Sequence, residues 1–355
     1  MKRSPFPLAL AVLVLWPLMP VGAQTAAPQV RVLATGGTIA GVGSANSAEY
    51  KAGVVPVSVL LSALPGVEKI AAITAEQIAN VSSSNVDEAI WRKLHARLLA
   101  ALADPVVSGV VITHGTDTLE ETAYFLSLLL PNVKPVIVVG SMRPSTAVSA
   151  DGPQNLMDAI RVAASRDAAG RSVMVVMNDS IFDARSVTKV DMRRVEAFAA
   201  PSRGPVGEVL KPAPRFFAPA GSAGQKFALL DAKLPRVAIV YAYAGQTRDD
   251  VLATAKDAAG VVIAGVGAGG YSDGARQAVR ELIARGIPVV RTPRQGSGDI
   301  WRAEASPDDE KAAEVLGGRE LTPAKARILL MLALQQPRSR DELQALFDQS
   351  ATGAR

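Results

Sequence analysis

The sequence predicts an α/β protein of two doubly wound-type domains, a larger N-terminal one and a smaller C-terminal one. Three observations carry that expectation: seven short β-rich runs, longer helical patterns between them, and a proline-rich break past the middle of the chain. The runs cover residues 30–35, 106–113, 136–140, 173–178, 237–243, 261–265 and 288–291. Several are apolar without alternation, the pattern of a parallel strand covered by helices on both faces. Between them, residues 86–103 place Ile90, Leu94, Leu98 and Leu102 four apart, which puts one apolar stripe on one face of a helix. Thr322-Pro323 opens another helix that runs through Ile328 to about Leu334. The threonine hydroxyl can accept a first-turn N–H, and proline lacks an N–H where a helix leaves one unpaired anyway. Such alternation of strands and helices specifies helices layered on mainly parallel sheets.

The break lies beyond residue 200, with prolines at 201, 205, 212, 214 and 219 and glycines at 221 and 224. The strand pattern resumes at Arg236. Residues 24–210 are therefore expected to form the N-terminal domain, 211–235 a linker and 236–355 the C-terminal domain. A length of 355 residues agrees with two domains at about 150 residues each. Gly109-Val-Val-Ile-Thr and Gly260-Val-Val-Ile-Ala echo each other without a fixed period, as two similar strands in separate sheets would.

The first 23 residues have a different purpose. Lys2 and Arg3 precede an apolar run over 8–16, and Val21-Gly22-Ala23 offers small residues at cleavage spacing. This is the pattern of a secretory signal peptide cut after Ala23. The run is shorter than the roughly 20 residues a membrane span needs. The expected location is periplasmic or secreted, with no membrane attachment after cleavage. Loss of Lys2 and Arg3 lowers the formal charge from +5 to +3. With scattered basic residues and 5% aromatics, no nucleic-acid surface is expected. The chain has no cysteine, which excludes thiolate nucleophiles and thiolate metal sites, and a protein of this size does not need disulfides. With only His95 and His114, no metal site and no cofactor are expected.

In open α/β sheets, ligands sit beyond the carboxyl ends of strands. Two segments with reactive side chains fall there. Gly36-Gly37-Thr38 follows the first strand. Its glycines permit a tight turn and could aim backbone N–H groups at a developing oxyanion, while Thr38 projects into the same space. The other reading is a plain turn with a capping threonine. The second segment is Thr113-His114-Gly115-Thr116-Asp117-Thr118-Leu119-Glu120-Glu121. A capping box from Thr118 to Glu121 would account for those two residues but leaves Thr116 and Asp117 unexplained. A carboxylate there could grip an ammonium, and the hydroxyl could act as nucleophile or proton carrier. A threonine hydroxyl is a weak nucleophile and needs a base. A buried lysine can serve, because desolvation favours its neutral form. Lys189, beyond another strand end, is a candidate by position, the alternative being a surface lysine. His114 is expected to support the loop and His95 to sit on a helix. Gly265-x-Gly267-x-x-Gly270 matches a dinucleotide-binding glycine pattern after a strand. A glycine-rich turn packing helix on strand accounts for it more simply in an exported protein.

With these residues in hand, the chain resembles the bacterial type II L-asparaginases, including the glutaminase-asparaginases, over residues 30–350. Ala34-Thr-Gly-Gly-Thr-Ile-Ala-Gly41 and Ile112-Thr-His-Gly-Thr-Asp-Thr-Leu-Glu-Glu-Thr-Ala-Tyr124 are the specific motifs. Further matches are Gly140-Ser-Met-Arg-Pro-Ser-Thr146, Ser149-Ala-Asp-Gly-Pro153, Val176-Met-Asn-Asp179 with Val187-Thr-Lys189, and Pro323-Ala-Lys-Ala-Arg327. The resemblance implies hydrolysis of L-asparagine to L-aspartate and ammonia by a homotetramer whose active sites are shared between subunits. It implies Thr38 as nucleophile, Tyr50 on a loop closing over substrate, and Thr116 with Lys189 as a second hydroxyl–base pair. It further implies Gly37 in the substrate site, Asp117 on the substrate ammonium, Ser83 on its carboxylate, and Glu304 reaching in from a partner subunit. The acyl intermediate falls on Thr38 or Thr116. Two departures bear on which amide is preferred: Ser84 stands where glutamine or glutamate is usual, and Gly245 where asparagine or serine is common. The loop between Ile39 and Tyr50 is also one residue shorter than in some relatives, and a disulfide found in others is absent. A glutaminase-asparaginase is the runner-up. An exported amino-acid-binding protein is the rival from another class, and it would need neither Thr38 as nucleophile nor Lys189.

Overall fold

Most β-rich runs of the sequence become strands with boundaries shifted by a residue or two. The computed structural model describes residues 27–43, 51–217, 219–220, 226–302 and 314–349, so the expected signal peptide, Tyr50 and Glu304 lie outside the described residues. In chain order the larger unit contains β1 (Gln29–Gly36), α1 (Val57–Ser62), β2 (Ala72–Val81), α2 (Glu88–Ala103), β3 (Val107–Thr113), α3 (Leu119–Leu129), β4 (Val136–Val139), α4 (Gly152–Ala164), β5 (Met174–Met177), β6 (Ser180–Asp183), β7 (Thr188–Lys189), β8 (Phe198–Ala199), β9 (Gly207–Glu208) and β10 (Arg215–Phe216). The smaller unit contains β11 (Val237–Tyr241), α5 (Arg248–Thr254), β12 (Gly260–Gly265), α6 (Asp273–Ala284), β13 (Val289–Pro293), β14 (Leu316–Gly317), α7 (Pro323–Ala333) and α8 (Arg340–Gln349).

Among the described residues, eight strands form one sheet in the order β10-β9-β6-β5-β4-β3-β1-β2. From β2 to β5 the neighbours are parallel, and beyond β5 they turn antiparallel. The large sheet is therefore mixed, where the apolar runs led us to expect parallel strands. The reason is local. Asn178 and Asp179 both have positive φ, 49° and 60°, so the chain reverses in two residues and Met177 pairs with Ser180. Two consecutive left-handed residues make the tight hairpin turn that fits strand twist, and Asn and Asp tolerate it best after glycine. β2 carries no strand signal in the sequence, because only Ile78 along it is buried and an edge strand needs no apolar run.

The small sheet, β11-β12-β13-β14, is parallel throughout. Successive residues on β12 face two different cores. Val261 and Ile263 join Val251, Ala278 and Leu282 of α5 and α6, whereas Val262 faces a cluster shared with α7 and the large domain. Helix α7 is buried on nearly every side and packs between the small sheet and α3. The connecting segment is strapped down by hydrogen bonds: Arg92 donates to the carbonyls of Leu230 and Ala232 at 2.6 Å each, and Phe227 N donates to the Leu128 carbonyl at 2.8 Å.

One topological fact places the site. The chain leaves β1 for β2 on one side and returns to β3 on the other. The loops after β1 and β3 therefore diverge, and crevices at such switch points are where open α/β sheets bind ligands.

Candidate active site

Thr38 and Thr116 sit just beyond the ends of β1 and β3, and both are buried. What brings their loops together is backbone on backbone. Gly37 has φ 83° and ψ −174°, a region open almost only to glycine. A Cβ built there would lie 2.3 Å from the Gly115 nitrogen, and one built on Gly115 would lie 2.8 Å from Ser83 Oγ. Three loops thus meet with no room for a side chain between them. Side chains reinforce the contact: Thr35 Oγ1 donates to the Thr113 carbonyl at 2.9 Å, and Thr118 Oγ1 to the Ser83 carbonyl at 2.7 Å. The Thr118 hydroxyl makes no cap on α3, so the expected capping box does not form; the side chain serves the site instead. The Gly37 N–H is engaged by the Val81 carbonyl at 2.9 Å, so that particular donor is turned into the structure rather than toward an oxyanion.

Lys189 arrives from the ribbon formed by β7 and β8. Its Nζ donates to Thr116 Oγ1 at 2.8 Å and lies 2.7 Å from Asp117 Oδ1. The lysine side chain is 16% exposed and that of Asp117 63%, so an amine on the protein side faces a carboxylate open to solvent. Of the residues singled out from the sequence, the structure draws Gly37, Thr38, Ser83, Thr116, Asp117 and Lys189 to this end of the sheet. Ser84 lies beside them but is exposed, with its hydroxyl 3.1 Å from that of Ser82. Gly245 is at an exposed turn of the small domain with φ 79° and open space where a Cβ would go. The segment that contains Tyr50 leaves from Val42 and returns at Lys51, which pair with each other at 3.1 and 3.0 Å.

His114 is fully buried, and its partners fix its proton. Nδ1 lies 2.8 Å from the Gly115 carbonyl, which can only accept, so Nδ1 carries the hydrogen. Nε2 must then accept from Thr122 Oγ1 at 2.9 Å, and that hydroxyl in turn accepts from Trp91 Nε1 at 2.9 Å. Every link in this chain points one way. Burial pushes the imidazole down to about 4, against the Gly115 hydrogen bond. His114 is thus a neutral brace for the Gly115 turn, as expected, and Trp91 and Thr122 extend it in a way the sequence did not reveal. Half-buried His95 lies on α2, its pKa lowered by burial and by Arg92.

Two further motifs brace the turn after Thr38. The Asp151 carboxylate accepts from Met142 N and Arg143 N, each at 2.9 Å, and Ser145 Oγ donates to the Gly41 carbonyl at 2.8 Å. Among the described residues there is no cluster of three or more His, Cys, Asp or Glu side chains placed to hold a metal, and no helix long and apolar enough to cross a membrane.

Both halves of the chain match known proteins. The family model for the N-terminal asparaginase domain matches residues 29–220, and that for the glutaminase/asparaginase C-terminal domain matches 236–347. The chain belongs to the asparaginase family. Within that family it is 42% identical to L-asparaginase 2 of Bacillus subtilis (strain 168), over 91% of this chain and 86% of that protein. It is 41% identical to the glutaminase-asparaginase of Pseudomonas fluorescens biotype A, over 96% and 97%. Among solved structures, the probable cytoplasmic L-asparaginase from Campylobacter jejuni superposes with a TM-score of 0.84 at 37% identity, covering 91% of this chain and 99% of that one. The asparaginase fold therefore accounts for both domains of this chain.

Proposed function

We propose that the protein hydrolyses L-asparagine to L-aspartate and ammonia with threonine hydroxyls and a lysine, and without a metal or cofactor. The observation that carries the proposal is the contact of Lys189 Nζ with both Thr116 Oγ1 and Asp117 Oδ1, at a switch-point crevice shared with Thr38. Thr38 Oγ attacks the side-chain amide carbon, and its proton passes to the departing nitrogen. Ammonia leaves as the C–N bond breaks, and an ester on Thr38 remains. Water then cleaves the ester to aspartate and restores the hydroxyl. Lys189 and Thr116 relay the proton between the attacking hydroxyl and the departing nitrogen, while Asp117 holds the substrate ammonium. Ser83 faces the substrate carboxylate, Gly37 forms the floor between the two loops, and Tyr50 and a partner subunit's Glu304 complete the site in a homotetramer. Export to the periplasm or medium belongs to the same proposal. Its support is residues 1–23 and the naming of a 39% identical Haemophilus influenzae relative as periplasmic.

The test is ammonia release by the purified protein. Thr38→Ala and Lys189→Met are each expected to lower turnover of L-asparagine by about three orders of magnitude or more, as loss of a nucleophile or its base does. Full turnover in Thr38→Ala with none in Thr116→Ala would move the ester to Thr116. Tight asparagine binding without ammonia would favour a binding protein instead. Glutaminase activity beside asparaginase activity is the second reading, supported by the 41% identical Pseudomonas fluorescens relative. One methylene is worth only about 10–200-fold in selectivity, so paired kcat/KM values for the two amides decide it.

A further inference from the structure

Lys189 reaches its partners from a strand of only two residues, so something other than sheet pairing must locate it. We propose that Glu120, braced by the first turn of α7 in the small domain, positions Lys189 against Thr116; this rests on reading Lys189 and Thr116 as a reacting pair. Glu120 is the second residue of α3, a helix buried on almost every side, and a carboxylate in that setting requires partners. Each of its oxygens has one. Oε2 accepts from Lys189 N at 2.7 Å, and Oε1 accepts from Thr322 Oγ1 at 3.3 Å. Thr116 lies in the turn that leads into α3, four residues before Glu120, so one short stretch of chain carries both the hydroxyl and the carboxylate that holds the backbone of the lysine meeting it.

The outer half of the device is α7. Thr322 is its N-cap, and Lys325, 1% exposed, turns inward. Lys325 Nζ donates to the Arg185 carbonyl at 2.8 Å and to the Val187 carbonyl. Burial lowers this ammonium to about 8, with the Glu120 and Asp183 carboxylates opposing the shift. The Arg185 side chain is held in turn by Glu320 at 3.2 Å. The segment from Arg185 to Lys189 is therefore gripped at its carbonyls by Lys325 and at its last N–H by Glu120. The first grip comes from a helix of the other domain, and the second is braced by that helix through Thr322. An interdomain contact with no catalytic consequence would lower the melting temperature and leave turnover alone; a positioning device must change kcat.

The experiment compares Glu120→Ala, Thr322→Val and Thr322→Ser with the parent full-length protein, reading kcat and KM for L-asparagine separately. Hydrogen exchange at the Lys189 amide is followed without substrate. Glu120→Ala is expected to lower kcat by about 10–100-fold with KM within about threefold, the scale of a misplacement near 1 Å. Thr322→Val should follow in the same direction by several-fold, Thr322→Ser should restore the parent value, and exchange at Lys189 should accelerate in Glu120→Ala. An unchanged kcat with a lower melting temperature would overturn the proposal, as would a rise in KM alone. If Glu120→Ala fails to fold, the Thr322 pair decides, because it leaves the Glu120 bond to Lys189 N in place. If the parent releases no ammonia from asparagine, the functional reading has failed on its own. The exchange measurement then still tests Glu120, and undiminished protection in Glu120→Ala would refute its grip on Lys189.

Discussion

Two glycine-rich turns leave the ends of parallel strands in this protein, one after β1 and one after β12, and they meet opposite fates. Gly36-Gly37 closes against other loops: a Cβ on Gly36 would lie 2.6 Å from the Val81 backbone, and one on Gly37 would run into Gly115. The turn after β12 closes on itself. A Cβ on Gly265 would meet Gly269 of the same turn, Val266 N donates to the Gly270 carbonyl at 2.8 Å, and nothing lies within 4 Å of a Cβ on Gly267. The small sheet runs through β12 in sequence with its neighbours, whereas β1 lies between β2 and β3, at the point where connections part. Of these two turns, the one that packs against other loops is the one where topology brings a second loop across it.

Gly37→Ala breaks the comparison hardest. It forces a non-glycine residue into a strained region and a methyl group into the Gly115 backbone, costs of about 1–3 kcal/mol each. The expected outcome is a protein that is either unfolded or without measurable ammonia release. Near-normal activity would mean that the interlocked loops do not define the site. A smaller and pH-dependent effect tests the brace behind Gly115. His114 must be neutral in the folded chain, so its folded pKa lies below the unfolded 6.5, at about 4. The unfolded state binds more protons between those values, and stability is lost as pH falls from 6.5 toward 4, by roughly 3 kcal/mol in all. Melting temperature followed across that window should fall less steeply for His114→Gln than for the parent. Parallel curves would remove His114 as the cause. At the other turn, Gly267→Asn places a residue that tolerates left-handed backbone where φ is 52° and space is open. Stability should change by no more than about 0.5 kcal/mol and turnover not at all. A large loss would show that the second turn has a partner of its own.

The sequence made the parallel strands and the long helices legible because their apolar residues follow the period of the element. It made Thr38, Thr116 and Asp117 legible as candidates because hydroxyl and carboxylate side chains follow strand ends there. What it hid were arrangements that depend on the partner rather than on the period. The edge strand β2 has almost no buried side chains, and the hairpin at Asn178-Asp179 shows only as a pair of turn-tolerant residues after a strand. Lys189 was a candidate by position, and only tertiary structure puts it 2.8 Å from Thr116. A capping box accounts for Glu121 in the sequence and leaves Glu120 unmarked, but in the structure Glu121 faces Arg327 across the domain junction at 3.7 Å. A signal was there: residues 119–130 are apolar around most of the helix, and a glutamate inside such a helix needs a partner.

The burial of Lys325 limits how this chain could be divided or recombined. A polypeptide that stopped near residue 220 would retain both threonine loops and the whole of β7, yet the carbonyls of Arg185 and Val187 would lose their donor and the side of α3 covered by α7 would face water. Expression of the first domain alone should thus yield an aggregating fragment rather than a smaller enzyme. Chimeras assembled from relatives would have to move the start of α7 together with the loop that ends at Lys189, as one unit of inheritance split across the chain.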